Sequence, residues 1–320
     1  MAEIQHYVPQ LLLRQFGNAK EQVFVFNKKT GKVFQTHARN IAAERNFYDF
    51  NFEGTDVTLE KSLSELEGKA QDILRVIIEK QSLGQLKRKH RTLLSSFIAT
   101  QFVRTRATRN IMQELGDSLA TELRRRVARD AEQLKAVDDF IGPPVDENSR
   151  AMEHTRLISK ASVEFAPMIR EKTWWLGRTN KEHPFVIGDH PIGLQNSLMR
   201  TMYPDSPRGT LGLRSHGIEI YLPLTPMLTL IMVDDTMTGR LLQSARVIPR
   251  IHAPEVHELR TAIKKGTPVE MNPANVENMN SLQIIDSERF VFASTDDFTL
   301  AKFIVKENPG IVDGPRFVIG

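Results

Sequence analysis

His6 is the first residue whose type and setting point to chemistry. It opens the run His6-Tyr-Val-Pro9, and Arg14 follows shortly after. Pro9 restricts the residue before it to extended backbone, so we expect His6 to lie on an ordered segment that leads into a helix. Imidazole exchanges protons near neutral pH, and a guanidinium binds phosphate or carboxylate. The pair indicates either an acid/base or metal-binding histidine beside an anion clamp, or a packing histidine beside a surface arginine.

Gln101 and Arg104 are the second candidate, because they stand three residues apart on one predicted helix face beside the apolar Phe97. An unpaired guanidinium is costly to bury, so Arg104 needs a carboxylate or an anionic ligand. Glu67 is the natural internal partner, since it lies at the edge of the apolar stripe of the preceding predicted helix. An anion-binding Arg104 and a structural Arg104–Glu67 pair both remain open.

Asp189 and Asn280 are the third and fourth candidates. Asp189 follows an apolar run that ends at Gly188, where side chains are often presented to ligands, although an Asp in such a turn also caps local backbone amides. His190 is expected to face away from Asp189, because Pro191 keeps it extended. Asn280 interrupts an apolar helix face, so it has to be hydrogen-bonded by the fold or by a ligand.

The elements that position these residues change character along the chain. Gln22–Asn27 and Lys32–Thr36 flank a short turn and predict a β-hairpin after a short N-terminal helix. Apolar residues then recur at helical spacing from about 58 to 170, and Leu59 to Ile77 is the clearest stripe. The second half is rich in short β runs. These are Trp174–Arg178, Phe185–Ile187, Ile218–Leu222 and Leu228–Val233, with a helix after Pro273 and closing strands near Phe290 and Phe303.

This order of elements predicts the α+β class, with a central helical bundle and a C-terminal mixed β-rich lobe that holds a few helices. No long flexible linker separates the parts. We therefore expect one composite domain over 1–320, made of an N-terminal hairpin region at 1–56, a helical lobe at 57–170 and a β-rich lobe at 171–320.

Composition and charge exclude several classes of function. The chain has no cysteine, which excludes disulfides and thiolate chemistry and leaves His, Asp and Glu as the ligands of any divalent metal. A glycine-rich phosphate loop, a serine elbow, an HExxH zinc motif and a kinase signature are all missing. No apolar run is long enough to span a membrane and no signal peptide opens the sequence, so we expect a cytoplasmic protein without a membrane partner.

The formal net charge of +4 conceals a basic stretch. Residues 87–129 hold 11 Lys plus Arg against three acids, a balance that suits contact with nucleic-acid phosphates. However, Arg124, Arg125 and Arg126 spread over about 200° of a helix, so they cannot form one compact patch. A solvated helix face or an oligomer surface is the alternative.

Together these motifs resemble a bacterial family known for its HYVP motif and catalogued as domain of unknown function 4238. The likeness extends over nearly the whole chain and is carried in order by His6-Tyr-Val-Pro-Gln10 with Leu13-Arg14, Arg45-Asn-Phe-Tyr48, Glu60 with Leu66-Glu67, Gln101 with Arg104-Thr105, Phe185 to Ile192, Ile220 to Pro226, and Asn280 with Arg289-Phe-Val-Phe292. The resemblance marks the polar candidates as motif positions. His190 departs from the Asn that is usual there, and the family implies no established activity.

We therefore predict a hydrolase or nuclease that acts on nucleic acid or a nucleotide phosphate, in a toxin or phage-defence setting. His6, Asp189 and Glu67 form the catalytic set: His6 is the acid/base, and Asp189 orients it or binds a divalent metal with Glu67. The substrate-binding set is Arg14, Gln101, Arg104 and Asn280. The alternative is a non-catalytic binding or regulatory module in which these residues form a buried structural network. Cleavage of the glycosidic bond of a dinucleotide such as NAD ranks third.

Overall fold

The computed structural model describes residues 4–143, 145–202, 211–247, 249–250 and 253–314, and it confirms the α+β class. The helices are α1 (Gln10–Leu13), α2 (Glu60–Lys80), α3 (Arg88–Val103), α4 (Arg106–Val127), α5 (Ala131–Ile141), α6 (Glu147–Glu164), α7 (Ala166–Arg170), α8 (Ser197–Met202), α9 (Asp235–Val247), α10 (Pro254–Lys265), α11 (Pro273–Asp286) and α12 (Thr299–Glu307). Short 3-10 turns cover Arg14–Phe16, Ala38–Asn40 and Pro309–Asp313.

The strands form two main sheets and two small strand pairs. They are β1 (Ile4–His6), β2 (Gln22–Asn27), β3 (Val33–His37), β4 (Ala43–Arg45), β5 (Phe50–Phe52), β6 (Thr55–Val57), β7 (Thr173–Arg178), β8 (Ile187–Gly188), β9 (Gly193–Gln195), β10 (Glu219–Thr225), β11 (Leu228–Val233), β12 (Pro268–Glu270) and β13 (Phe290–Ala293). The small pairs are β1 with β4 and β5 with β6, both antiparallel.

The four-stranded sheet joins the two ends of the chain. Its order is β3-β2-β13-β8, so the predicted N-terminal hairpin pairs through β2 with the C-terminal strand β13. Gly31 turns the hairpin with a positive φ of 67°, a conformation that glycine adopts without strain. The turn also places Lys28 in the interior, where its ammonium donates to the carbonyls of Ile284 and Ser287 at the end of α11. These bonds hold the hairpin against the C-terminal half.

The five-stranded sheet has the order β12-β7-β11-β10-β9 and is antiparallel except for β12 beside β7. Its inner strands are almost wholly buried, as the pattern of β10 and β11 shows. Trp174 on β7 is buried whereas Trp175 is half-buried, so this pair divides between core and surface. A strand with alternate residues inside and outside is the ordinary consequence of the two-residue period of β structure.

Helices α2 and α3 face the N-terminal segment and carry most of the candidate site. The predicted stripe of α2 is buried at Leu63, Ala70, Leu74 and Ile77, and α3 buries eight of its 16 residues. Their apolar side chains belong to one large core that also takes in Tyr7 near the N-terminus and Phe292 on β13. The helices therefore cannot shift without disturbing both sheets.

The predicted closing strand near Phe303 is wrong, because this segment is the helix α12. Its buried residues, Ala301 and Ile304, lie three apart and pack with Phe298, while Phe303 itself is exposed. That spacing is helical, and it outweighs the preference of a single aromatic residue for a strand. The predicted strand Phe185–Ile187 shortens to Ile187–Gly188, although Phe185 and Ile187 are buried as expected.

None of the helices in the described ranges combines the length and the apolar character that a membrane crossing requires.

Candidate functional site

His6 ends strand β1, which pairs with β4 through Ala43, and this pairing gives the expected ordered approach to α1. Its Nε2 lies 3.0 Å from the carbonyl oxygen of Arg39. A carbonyl only accepts, so Nε2 carries the proton and Nδ1 is the basic ring nitrogen. Nδ1 faces the side-chain amide of Gln10, at 3.5 Å. The imidazole is therefore fixed in one tautomer with its base directed toward α1.

The electrostatics around His6 favour the neutral imidazole. Burial lowers its pKa below the usual value, and this effect outweighs the Arg39 carbonyl and the carboxylate of Glu67, which raise it. The guanidinium groups of Arg104 and Arg14 add to the lowering. A neutral, oriented imidazole at neutral pH is the form that a general base requires.

Arg104 is buried at the end of α3, next to the backbone of His6. Each of the three guanidinium nitrogens donates to a partner. Nε donates to the hydroxyl of Tyr48 at 2.9 Å, and one terminal nitrogen donates to the backbone carbonyl of His6 at 2.5 Å. The other terminal nitrogen forms an ion pair with Glu67 on α2. The Tyr48 hydroxyl donates to the His6 carbonyl as well, at 3.1 Å. We call Arg104, Glu67, Tyr48 and the His6 carbonyl the Arg104 cluster.

The Arg104 cluster confirms the predicted Arg104–Glu67 pair. Burial alone would lower the pKa of Arg104, but Tyr48 and Glu67 outweigh it and the net pKa is raised. Burial raises the pKa of Tyr48 to about 12, with Arg104 opposing the rise. Both groups are thus held in their ordinary neutral-pH forms, a cation and a neutral phenol. The guanidinium is neutralised by the chain itself.

Gln101 stands one turn before Arg104 on α3 and is completely buried. Neither its amide nitrogen nor its amide oxygen has a hydrogen-bond partner among the described residues. Leaving a buried polar group unpaired costs about 1–3 kcal/mol, so a buried amide that bonds nothing in the chain is a marker of function or of strain.

A cleft of about 300 Å³ lies between α1 and α2, next to this cluster. Arg14 and Gln15 line one wall, and Gln71 and Arg75 line the other. Arg14 donates to the Gln10 side chain at 2.9 Å, so hydrogen bonds run from the His6 ring through Gln10 to the cleft. His6 and Glu67 do not line the cleft themselves: His6 is linked to it through Gln10 and Arg14, and Glu67 lies one turn of α2 before Gln71.

Asp189 lies away from His6. Its two carboxylate oxygens accept from the backbone amides of Glu288, Arg289 and Phe290, at 2.6–2.9 Å. The carboxylate also raises the pKa of Tyr7, after burial. Because His6 and Tyr7 are neighbours on extended backbone, their side chains face opposite sides. Tyr7 is therefore the neighbour that interacts with Asp189, and the His6 side chain lies on the other side of the backbone.

The predicted orienting bond from Asp189 to His6 is therefore corrected, because no hydrogen bond in the described part of the chain joins them. The Arg39 carbonyl orients the imidazole instead. The alternative that Asp189 caps backbone amides holds for the kind of group it binds. The amides are not local, however, because they lie about 100 residues later in the chain. Burial raises the pKa of Asp189 to about 6, against the lowering by the three amides.

Asn280 also lies outside the cluster, and its amide serves the fold. Its Oδ1 accepts from the Val186 amide at 3.0 Å, and its Nδ2 donates to the Pro184 carbonyl at 2.9 Å. Three residues further along α11, Gln283 accepts from the Gly188 amide and donates to the Pro191 carbonyl. The two amides cover the outer edge of β8 as a neighbouring strand would, which protects an edge from unwanted pairing.

The structure therefore brings together His6, Arg14, Glu67 and Arg104, with Gln101 on the same helix as Arg104, and separates Asp189 and Asn280 from them. Tyr48, Gln10 and Gln283 were not assigned roles from the sequence. Tyr48 ends the run Arg45-Asn-Phe-Tyr48, and Gln10 ends the opening motif, so both stood in the motifs without a predicted contact. The contacts that define them cross 42 residues or more for Tyr48 and 95 for Gln283.

His190 is buried away from the Arg104 cluster. Its Nδ1 lies 2.6 Å from the hydroxyl of Thr105, the residue that caps α4. The ring also packs near Phe102, with centroids 6.2 Å apart. These contacts give His190 a packing role at the start of α4.

Several arginines of the basic stretch are already paired within the chain. Arg109 is largely buried, stacks on Phe47 and donates to His154. Arg124 pairs with Asp138, and both Arg125 and Arg126 pair with Glu122. These exposed ion pairs match the solvated helix face that the spacing indicated.

A metal would need at least three His, Asp or Glu side chains around one point, and no such group exists within the described ranges.

The α+β fold holds the backbone of His6 against a buried arginine cluster whose members all come from the first 104 residues, and the His6 ring is linked through Gln10 and Arg14 to a cleft between α1 and α2. The chain belongs to the family described as protein of unknown function DUF4238, whose match covers residues 4–297. No curated protein and no solved structure matches it.

Proposed function

We propose that this protein is a hydrolase that acts on a nucleotide phosphate at the α1–α2 cleft, with His6 as general acid/base. The observation that carries the proposal is the orientation of His6, whose proton is held by the Arg39 carbonyl. This leaves Nδ1 as a base on the side of Gln10 and Arg14. General acid/base catalysis by a positioned imidazole contributes about 10²–10⁴-fold in rate.

The charges at the cleft suit a phosphate. Arg14 and Arg75 stand on opposite walls and their side chains are accessible. Each is paired on the surface, Arg14 with Glu21 and Arg75 with Asp72. Such exposed pairs are worth about 0–1 kcal/mol, so a phosphate dianion can replace the carboxylates.

The size of the cleft favours a nucleotide over a polymer. Ligand pockets measure about 300–1,000 Å³, and this cleft lies at the lower end of that range with about 300 Å³. Nucleic acid remains the second substrate class, to be tested beside nucleotides.

Gln101 supports the same site from behind. It is a buried amide without a partner in the described chain, one helical turn from Arg104. In this proposal it donates to or accepts from the bound substrate. Glu67, which is partly exposed and raises the pKa of His6, keeps Arg104 fixed.

The test is a product assay on the purified chain with nucleoside mono-, di- and triphosphates, RNA and DNA, each with and without EDTA. We expect phosphate or nucleotide products from the wild type, and their loss in His6→Ala. His216→Ala is the matched control, because His216 is also partly exposed and contacts the side chains of Asp234 and Thr236, but it lies in the β-rich lobe and touches none of the residues that orient His6 or line the cleft. Full activity in His6→Ala would remove His6 as the base, and activity in no arm would reject the hydrolase.

The second candidate is a non-catalytic binding or regulatory module. It is supported by Arg104, whose guanidinium is satisfied by Glu67, Tyr48 and the His6 carbonyl and therefore has no donor group that requires a substrate. Under this alternative, the cluster holds the N-terminal segment in place. His6→Ala would then lower the melting temperature, and no substrate of the panel would be converted.

A further inference from the structure

Helices α4 and α5 form a hairpin with very little core of its own. Helix α4 runs for 22 residues but only Ala107 is fully buried in it, and α5 buries only Val137. Both helices lie wholly within the described ranges. Isolated short helices are marginal in water, and most helical stability comes from packing an apolar face. The hairpin therefore presents a face that the other described residues do not cover.

This face is apolar. Leu119, Leu123 and Val127 repeat every four residues along α4, which places them on one side of the helix. On α5, Leu134 and Phe140 are exposed apolar side chains on either side of the buried Val137. These five side chains are between 39% and 82% exposed. Large apolar side chains gathered on one element are typical of a surface that binds another macromolecule.

The charges beside the apolar face are opposite on the two helices. From Asp117 to Val127, α4 has three arginines against two acids, and Arg129 follows the helix. From 130 to 141, α5 and its capping residue have four acids against Lys135. The Arg124–Asp138 pair shows that the two helices attract each other within one chain. The same attraction is available between chains if α4 of one copy lies on α5 of another.

We propose that the α4–α5 hairpin binds the same hairpin of a second copy of this chain. In a two-fold arrangement each α4 packs on the partner's α5, so that every contact occurs twice and opposite charges meet. The apolar residues of the four helices then form a shared core, as in a four-helix bundle. A membrane surface is the competing occupant, but anionic headgroups attract the arginines of α4 and repel the acids of α5.

The test is the molar mass of the full chain in solution, by light scattering or sedimentation over a concentration series. We expect the wild type to reach twice the chain mass of 36.4 kDa. Leu119→Glu with Leu123→Glu places charges in the shared core and should weaken the dimer by about 100-fold or more. Because both side chains are exposed in one copy, the circular dichroism and the melting temperature of the monomeric variant should report an intact fold.

Val163→Glu is the matched control, since Val163 is also exposed but lies on α6, and it should leave the dimer unchanged. A wild type that stays monomeric to about 100 μM, or a double variant that stays dimeric, would overturn the proposal. So would a monomeric wild type that sediments with anionic phosphatidylserine vesicles, since a membrane would then be the occupant.

Discussion

The guanidinium of Arg104 donates a hydrogen bond to the backbone carbonyl of His6, 98 residues earlier in the chain, at 2.5 Å. The bond ties the end of α3 to the strand that carries the predicted base. Because the same guanidinium is paired with Glu67 on α2, the position of His6 depends on both α2 and α3. Arg104 is therefore a positioning residue for His6.

Arg104→Met should destabilise the fold. It leaves Glu67 without its cation and the Tyr48 hydroxyl without its donor, and breaking a buried ion pair from one side costs about 3–5 kcal/mol. Chemical denaturation measures the free energy of unfolding. Arg106→Ala is the control, because its pair with Glu44 is exposed and worth at most about 1 kcal/mol. Equal losses in the two variants would show that the Arg104 cluster has no special role.

Gln101→Leu should separate stability from function. Replacing a buried amide that has no partner with an apolar side chain should raise the free energy of unfolding by about 1–3 kcal/mol, while activity or nucleotide binding falls. Gln283→Leu is the matched control. Its buried amide bonds Gly188 and Pro191, so the same change should destabilise. A loss of stability in Gln101→Leu would mean that its amide is satisfied in the folded chain.

Asn280→Ala should open the edge of β8. It leaves the Val186 amide and the Pro184 carbonyl without partners, at a cost of about 1–3 kcal/mol for each buried group. Hydrogen exchange should show faster exchange at the Val186 amide. Ser281→Ala, on the exposed side of α11, is expected to leave that amide protected. Unchanged protection in Asn280→Ala would contradict the strand-like role of the Asn280 amide.

Asp189 should make the fold more stable as the pH falls from about 7 to about 4. Burial raises its folded pKa to about 6 from the ordinary value of 3.8. Between these values the folded chain holds a proton that the unfolded chain releases, so the free energy of unfolding increases as the pH falls. Urea titrations of the wild type and Asp189→Asn measure this free energy across the range. As the pH falls, the free energy of unfolding of the wild type should increase relative to that of the variant.

His154 provides an internal check on that sign. Burial, followed by the charge of Arg109, lowers its pKa to about 3 from 6.5. Below pH 6.5 the unfolded chain binds a proton that the folded chain does not, so the contribution of His154 to stability is lost as the pH falls. In Asp189→Asn the gain from Asp189 is absent, so the loss of stability from groups such as His154 should remain as the pH falls. A variant that tracked the wild type at every pH would rule out titration of Asp189 in this range.

Local patterns predict the fold well where one residue type repeats. The stripe of α2, the β2–β3 hairpin and the helix at Pro273 all follow from spacing and turn residues within one segment. The strand predicted near Phe303 is wrong, because an isolated aromatic residue favours a strand whereas the buried Ala301 and Ile304 are spaced as in a helix. The pairing of β2 with β13 could not be predicted from the sequence, because the register between distant strands is decided by the whole core.

The candidate site divides in the same way. The need of Arg104 for an anion, and the choice of Glu67, follow from the cost of burying a charge on an apolar face. That argument says that Asp189 and Asn280 need partners, but not which ones. Their partners are backbone groups about 100 residues away, and a sequence pattern carries no sign of the loops that supply them.

The most direct test of the proposed function is the rate of nucleotide hydrolysis by His6→Ala measured beside its melting temperature. We expect the rate to fall by about 10²–10⁴-fold, as for the removal of a general base, while the melting temperature stays close to that of the wild type. The His6 carbonyl, which Arg104 and Tyr48 hold, belongs to the backbone and survives the substitution. An unchanged rate, or a melting temperature that falls with no hydrolysis by the wild type, would contradict the hydrolase and favour the structural module.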